Sequence, residues 1–453
     1  MSESLPNVFL EEDTTMEQRW CALHQAVQAY YQRTAQAGAS SHTGQLGDLV
    51  WTSNHVCIPS EDSLKESHVI NEILTWFRRQ RPQQGAIWWY LHPEAPLKLE
   101  ARLFARGVSS NWRPHWMWCD LRQLQPRPPT DSKFTIKIAT KEDYLVSDDE
   151  NDAISEVLST VDPSRVLRLV ASRGIVRLGR CILSVTTGEL GIGAMFDMMV
   201  VAEERKQGVG TALAQAACEM ARKMGCNHVT LNATEMGEPV YRRVGFRSMG
   251  HGQTWYLKAS VLAEPAPTHH QIRFLEAVGF GDVDALEGMR ESLTHDQLQN
   301  PTLNELTSFE IAVRCQQPRS ASWLLSQGVI PDIISLWDLG WKDRVPTLIT
   351  EHPDLVKRES GKFTATPLHI AIERDDIELT KLLLTVPNDL DAKDAVFRST
   401  PVGWAHHFQR KEMLALLEAH TGINSHASVR ALLESILGKE QIRGDLVGMA
   451  TEV

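Results

Sequence analysis

Apolar residues recur along this chain with more than one spacing, and the spacing changes at two proline-rich breaks, residues 124–132 and 263–270. Both breaks read as linkers. Between them, short apolar runs with a period near two alternate with helical runs. Strands are predicted over 134–138, 166–171, 180–186, 193–201, 229–232 and 255–257, and helices over 149–160, 208–224 and 239–244. The order is β-α-β-β-β-α-β-α-β, the 166–171 and 180–186 strands pairing about a turn. Ahead of the first break, helices over 73–79 and 96–106 alternate with strands over 87–91 and 115–121. That order parallels the second half of the middle segment.

The last third repeats. Thr366-Pro367-Leu368-His369-Ile370-Ala371-Ile372 opens one unit, and Thr400-Pro401-Val402-Gly403-Trp404-Ala405-His406 opens the next, 34 residues on. Apolar helical runs follow at 379–384 and 413–418. A T-P-L-H-x-A signature with a period of about 33 residues resembles the ankyrin repeat. Weaker units precede these, at 307–312 with 323–328, at 336–349, and at 274–289 with its Gly281-Asp282 turn. The resemblance implies about five stacked helical pairs, because one pair alone cannot bury its apolar face.

Composition narrows the function classes. At 453 residues the chain exceeds what one core supports, and two or three domains are expected. With 42% hydrophobic and 23% charged residues it belongs with soluble globular chains. A net charge of −11 disfavours non-specific nucleic-acid binding, which needs clustered Lys and Arg, and suits a cationic partner better. The cysteines (Cys21, Cys57, Cys119, Cys181, Cys218, Cys226, Cys315) are scattered, odd in number and free of C-x-x-C pairs. Neither a disulfide framework nor a metal site is expected, and a reducing compartment is. The polar, acidic start is unlike a signal peptide, and no run of about 18 apolar residues occurs. The chain therefore reads as cytoplasmic, with no membrane and no nucleic-acid partner.

Candidate chemistry sits at 196–213, where an apolar strand runs through Arg205-Lys206-Gln207-Gly208-Val209-Gly210 into a helix. Glycines at 208 and 210 let the backbone approach an anion and point N–H groups at it. The helix start adds its positive end, Arg205 and Lys206 add charge, and Thr211 offers a hydroxyl. Alone, R-x-x-G-x-G is a weak pattern, since many strand–helix turns hold two glycines. A dinucleotide loop is disfavoured because the preceding strands read as antiparallel and no acidic residue closes a second βαβ strand.

In context, residues 134–258 resemble the GNAT acetyltransferase superfamily. Val200 lies five residues before Arg205, at the family spacing, with Ala202 where many members carry proline. Leu231-Asn232-Ala233 and Tyr241-Arg242-Arg243-Val244-Gly245-Phe246 match the family's second signature, a strand ending in Asn and then Y-x-x-x-G-F. The resemblance implies a mixed twisted sheet flanked by helices, with acetyl-CoA as co-substrate and no metal. It implies that Met199, Val200 and Val201 offer backbone groups to the pantetheine arm. Arg205, Lys206, Gln207, Gly208, Val209, Gly210 and Thr211 would hold the pyrophosphate, and Asn232 would bond the cofactor arm or a water. Tyr241 would protonate the departing thiolate; its other reading is a buried aromatic. For the base, Asp197 is the candidate by position, three residues before Val200; its other reading is a strand-edge carboxylate in solvent. Glu203 and Glu204 read as solvated, and His228 and His251 as structural or surface residues. The acidic run Asp148-Asp149-Glu150-Asn151-Asp152 lies where the family's acceptor groove is lined, although helix capping, which needs no substrate, is the preferred reading.

The N-terminal third holds Trp20, Trp51, Trp76, Trp88, Trp89, Trp112, Trp116 and Trp118. Its Leu103-Phe104-Ala105-Arg106-Gly107-Val108 echoes the 241–246 block, which suggests a degenerate copy of the same fold. Residues 59–64 stand where the anion loop would be, so no cofactor is expected on that half. The tryptophans either line an acceptor pocket or pack between domains. The expected organisation is a degenerate GNAT-like domain over 1–123, a GNAT domain over 134–258, an ankyrin domain over 268–425 and a tail over 426–453. The fold class is α+β, duplicated, followed by an all-α solenoid. The expected function is acetyl transfer from acetyl-CoA to a primary amine, small or protein-borne, with a protein partner on the ankyrin stack. The alternative is an ankyrin scaffold whose acyl-CoA-binding fold is inactive.

Overall fold

The computed structural model describes residues 15–37, 43–46, 49–52, 54–83, 85–92, 96–124, 134–140, 157–186, 191–360, 364–386 and 388–421. The acidic run 148–152, most of the helix expected over 149–160, nearly all of the 124–132 linker and the 426–453 tail lie outside them. The chain divides into two units, Met1–Phe280 with Pro301–Leu306, and Gly281–Asn300 with Thr307–Val453. Among the described residues no helix is long and apolar enough to cross a membrane.

The first unit carries two mixed sheets. Its strands are β1 (Gly44–Leu46), β2 (Leu49–Trp51), β3 (His55–Ile58), β4 (Ala86–Tyr90), β5 (Ser109–Ser110), β6 (His115–Asp120), β7 (Thr135–Ile138), β8 (Val166–Arg173), β9 (Val176–Val185), β10 (Ile192–Val200), β11 (His228–Ala233), β12 (Arg247–His251) and β13 (Gln253–Leu257). One sheet runs β1-β2-β3-β4-β13-β5, the other β12-β6-β11-β10-β9-β8-β7. The helices are α1 (Met16–Ala37), α2 (Ser67–Gln80), α3 (Leu97–Phe104), α4 (Val209–Lys223), α5 (Glu238–Val244), α6 (Ala259–Ala263) and α7 (His269–Phe280).

Two strands cross between the halves. β6, expected to close the N-terminal third, runs antiparallel to β11 in the second sheet, from His228↔Asp120 to Ala233↔His115. β13, expected to close the middle segment, pairs instead with β4 in the first, Trp255 opposite Trp88. The side chains explain the first exchange. Met117 and Cys119 of β6 join the core beneath α4, while Trp116 and Trp118 join the core beneath α1. A strand apolar on both faces belongs in the middle of a covered sheet.

Those two cores cover opposite faces of the second sheet. On one, α4 packs Leu213, Ala214, Ala217, Cys218 and Ala221, and the run of small residues lets helix and sheet approach closely. Gly225, at φ 86, stops the helix, with Cys226 N–H returning to the Ala221 carbonyl at 2.9 Å. On the other face, α1 buries Trp20, Leu23, Ala26 and Val27 against Trp116, Trp118, Ile192 and Ala194.

The pair expected over 274–289 is divided. Its first helix, α7, belongs to the first unit, where Glu276 accepts from Arg106 Nη1 at 2.7 Å and from the Ser67 hydroxyl at 3.1 Å. Its second, Val283–Met289, belongs to the second unit.

In the second unit, Ser308–Arg314, Ile333–Asp338, Pro367–Glu373 and Pro401–His407 are each followed by a partner helix, Pro318–Ser326, Val345–Glu351, Ile377–Leu383 and Lys411–Thr421. Gln316, Gly340, Asp375 and Gln409 hold positive φ at the turns inside these pairs. The T-P-L-H motif acts through His369, which donates from Nε2 to the Ser399 carbonyl at 3.1 Å. Its Nδ1 then accepts from the Thr366 hydroxyl at 2.8 Å, so one buried imidazole ties two successive units.

Candidate functional site

The second sheet opens between its two parallel neighbours. β10 and β11 pair from Ile192↔His228 to Met195↔Leu231 and no further. Beyond that point β10 bulges between Phe196 and Met199 and stays with β9, as Met199↔Arg180 and Val200↔Gly179. β11 stays with β6, as Asn232↔Trp116 and Ala233↔His115. The strands therefore part, leaving two backbone edges facing a wedge. Gly179 is needed for this path, since a Cβ there would stand 2.6 Å from the Met199 carbonyl oxygen.

The residues expected to offer backbone to the wedge differ in what they have left. The Val201 N–H donates to the Leu178 carbonyl at 3.0 Å and its carbonyl accepts from the Glu204 N–H at 3.0 Å, so both its groups are engaged. By the alternation of an antiparallel ladder, Val200 then turns its N–H away from β9, toward the wedge. Its carbonyl accepts from Arg205 Nε at 3.2 Å. Met199 is 37% exposed, a large apolar side chain left at the rim.

The loop follows directly. Residues 202–204 form a 3-10 turn, fixed by a two-pronged ion pair in which Arg173 Nη1 and Nη2 meet the Glu204 oxygens at 2.9 Å each. Glu204, expected to be solvated, is thus a structural tie. Lys206 has φ 62 and Gly208 φ 87. Left-handed residues of this kind turn backbone N–H groups into an anion-binding concavity. A Cβ on Gly208 would meet nothing within 4 Å, so the space before this residue is open. Val209 is buried and anchors the start of α4, leaving the first N–H groups, those of Val209, Gly210 and Thr211, without carbonyls one turn back. Gly210 lies in ordinary contact range of Val200 and Val240. Gln207 Nε2 donates to the Glu203 carbonyl at 3.0 Å, while the Lys206 side chain stays exposed.

Two polar groups wait near the wedge. Oδ1 of Asn232, at the parted end of β11, is buried and accepts no hydrogen bond among the described residues. A buried acceptor without a donor is uncommon, and a bound amide N–H or water would relieve it. Tyr241 is 6% exposed on α5 and packs edge-on to Phe246, with centroids 5.9 Å apart. Gly245, at φ 118, reverses the chain after α5, and the Phe246 N–H returns to the Tyr241 carbonyl at 3.1 Å. Burial raises the Tyr241 phenol well above its ordinary value, and the nearby Cys181 adds to the effect, so the hydroxyl keeps its proton.

Asp197 occupies the bulge with φ 46, a conformation costly for a residue other than glycine. Its Oδ2 accepts from Arg180 Nε at 2.8 Å and lies 3.7 Å from Arg168 Nη2. It is thus an ion-paired carboxylate, which neither sequence reading anticipated. Two more site residues escaped the sequence pattern, Arg168, 3% exposed, and Tyr30 of α1, whose ring stacks on Phe196 at 3.8 Å and 12°. The signal for α1 was present in the apolar spacing of Trp20, Leu23, Val27, Tyr30 and Tyr31. His228 is buried against Asp120 and His251 stacks on His115, both away from the wedge chemistry.

Residues 117–246 match the model of the acetyltransferase (GNAT) family, and residues 365–395 match that of the ankyrin repeat. The chain carries a GNAT-family domain and an ankyrin repeat. The GNAT match begins inside β6, the strand that enters the second sheet from the N-terminal third. Over 63 residues, 14% of this chain, the sequence is 36% identical to a glucosamine 6-phosphate N-acetyltransferase of Trypanosoma brucei brucei, and it spans 43% of that protein's length. Among solved structures, a GCN5-related N-acetyltransferase from Kribbella flavida is similar over 52% of this chain and 95% of its own, with 16% identity and a TM-score of 0.39. A tandem GNAT protein from the clavulanic acid biosynthesis pathway is similar over 57% of this chain and 99% of its own, with 16% identity and a TM-score of 0.38.

Among the described residues no group of three or more His, Cys, Asp or Glu is placed to hold a metal ion. The residues present do fit an acyl-CoA. The wedge is edged by strand backbone, the orphaned Asn232 Oδ1 faces a donor-shaped need, and the open cradle at Gly208 leads into a helix start.

Proposed function

We propose that the GNAT domain is an N-acetyltransferase that moves an acetyl group from acetyl-CoA to a primary amine by direct attack. The observation that carries this reading is the parting of β10 and β11 beyond Met195 and Leu231, beside an anion-binding loop at the start of α4. The Val200 N–H and Asn232 would hold the pantetheine arm across the wedge. The N–H groups from Gln207 to Thr211, with Lys206 and the remaining guanidinium nitrogens of Arg205, would hold the pyrophosphate. When bound, acetyl-CoA supplies an activated acetyl thioester.

The chain's own residues then divide the proton work. Asp197 receives the proton that the amine nitrogen sheds, through Oδ1, which the arginines leave open. Tyr241 keeps its hydroxyl protonated and gives that proton to the departing sulfur. The core around Tyr241 excludes water from that end of the wedge.

For the acceptor, the name of the trypanosomal relative makes glucosamine 6-phosphate one amine to test. The ankyrin repeats would recruit a protein partner or a protein-borne acceptor. We place the reaction in the cytoplasm, in keeping with seven cysteines that are all free thiols.

Calorimetry with acetyl-CoA, followed by an amine-library screen for thiol release, tests the reading. Micromolar binding with amine-dependent release is expected. No binding at millimolar acetyl-CoA would leave the rival, an inactive fold on an ankyrin scaffold.

A further inference from the structure

On the α1 side of the bulge, one carboxylate oxygen and one hydroxyl have no hydrogen-bond partner among the described residues. Asp197 spends Oδ2 on Arg180 and Arg168, and its Oδ1 accepts nothing from the described residues, although a third of the side chain remains accessible. Tyr30 is 5% exposed, and its hydroxyl makes no hydrogen bond among the described residues. Its ring lies flat on Phe196, the residue before Asp197, with centroids 3.8 Å apart and planes 12° from parallel. Burial raises the Tyr30 phenol above its ordinary value, and the charge of Asp197 adds to the effect. A buried phenol usually finds a partner, and none of the described residues supplies one here.

The origin of these groups matters. Asp197 comes from the GNAT-matched segment, whereas Tyr30 comes from α1, far ahead of it in sequence. The helix is bound firmly enough to place a side chain. Trp20, Leu23 and Val27 are buried in the sheet's second core, and Arg33 Nη1 donates to the Val185 carbonyl at 2.7 Å. The positive φ of Asp197 turns its carboxylate onto this face, the one α1 covers, where it meets Arg168 and Arg180. The other face of the sheet is covered by the core that contains Tyr241.

Building on the acetyltransferase reading, we propose that the acceptor amine docks on the α1 side of the bulge, one N–H donating to Asp197 Oδ1 and the other to the Tyr30 hydroxyl oxygen. Helix α1 is thus a component of the active site, and the N-terminal third completes the acceptor subsite. Both contacts use N–H bonds, so the lone pair of the neutral amine stays free to attack the thioester. Primary amines with an unhindered nitrogen fit; tertiary and quaternary amines, which have no N–H for Asp197, do not.

The test uses the full chain and hydroxylamine, a small primary amine, as probe acceptor. Nitrogen bonds to the acetyl carbon, the carbon–sulfur bond breaks, and one proton passes from nitrogen to the thiolate, giving acetohydroxamate and CoA. Tyr30→Phe keeps the stack on Phe196 and removes only the hydroxyl. It should raise the hydroxylamine KM about tenfold, the worth of one good hydrogen bond, with acetyl-CoA affinity unchanged by calorimetry. Tyr31→Phe, whose hydroxyl neighbours Tyr30 and Cys57, should leave both values as they are. A Tyr30→Phe enzyme with wild-type KM, or a wild-type chain that binds acetyl-CoA yet forms no acetohydroxamate, overturns the subsite while leaving the cofactor site standing. A wild-type chain that binds no acetyl-CoA overturns the acetyltransferase reading itself.

Discussion

Arg180 Nε donates to Oδ2 of Asp197 over 2.8 Å and leaves the other oxygen of that carboxylate open. The pair holds the one acidic group at the bulge, so the proposed base can be tested without losing the bulge. Asn also adopts left-handed backbone and keeps an oxygen for Arg180. Asp197→Asn should therefore fold, bind acetyl-CoA within about twofold of wild type, and lose about 100-fold in kcat, a usual loss for a general base. Steady-state kinetics and calorimetry on one preparation separate the two. Undiminished kcat would make Asp197 an anchor for the arginines and nothing more.

The loop predicts a contrast between two substitutions of one glycine. Gly208 has φ 87 and open space where a Cβ would stand. Alanine there carries about 1 kcal/mol of backbone strain and little else. Glutamate carries the same strain plus a negative charge where the pyrophosphate would sit. Gly208→Ala should weaken acetyl-CoA by less than about tenfold, and Gly208→Glu by more than about 100-fold. Equal, small effects on calorimetric affinity would remove the loop from the cofactor site.

Much of this centre was legible before the structure, because the GNAT signature is local. The Val200-to-Gly210 spacing, Asn232 at a strand end and the 241–246 block each report a backbone shape that neighbouring residues impose. What escaped was non-local. Strand β6 was read correctly as a strand, but its Trp/Met/Trp/Cys alternation shows two apolar faces without naming the sheet that buries them. Likewise β13 gave no hint that Trp255 faces Trp88. Asp197 was singled out by position, but its arginines sit on β8 and β9, and pairing across strands has no sequence period. Tyr30 was missed because the apolar spacing of α1 marks a buried helix face without naming the sheet it covers. Glu276 read as part of a repeat because apolar spacing cannot show which core a helix joins.

Three histidines, His24 and His228 buried and His55 half-buried, predict an acid limb in stability. Desolvation lowers His24 to about 4, His55 to about 3 and His228 to about 4, against an ordinary value of 6.5. Between the folded and unfolded values the unfolded chain binds protons that the folded chain refuses. Stability should therefore be whole above pH 6.5 and fall as pH drops toward 4. Each histidine contributes a slope of up to about 1.4 kcal/mol per pH unit. His24→Leu removes one buried, unpartnered nitrogen and should flatten the slope by about one proton. Urea unfolding of the first unit at a series of pH values measures it. A variant with the wild-type slope would show that His24 is protonated alike in both states.

The last prediction concerns where the first unit ends. Arg106 is 1% exposed, and its guanidinium reaches Asn71 at 2.7 Å, the Arg102 carbonyl at 2.8 Å and Glu276 at 2.7 Å. Glu276 is the only carboxylate in this set and lies on α7, past the 263–270 linker. Removing one partner of a buried pair leaves the other charge stranded, at a cost of about 3–5 kcal/mol, whereas replacing both with apolar groups is often neutral. Glu276→Leu should thus lower the unfolding free energy of the first unit by about 3 kcal/mol, and Arg106→Met with Glu276→Leu should restore most of it. A chain ending at residue 267 should behave no better than Glu276→Leu, because it loses α7 and the carboxylate together. Thermal unfolding of the three variants decides the matter. If the chain ending at 267 keeps the wild-type midpoint, α7 contributes nothing to the first unit; if the double variant stays as low as the single, the loss comes from packing and not from a stranded guanidinium.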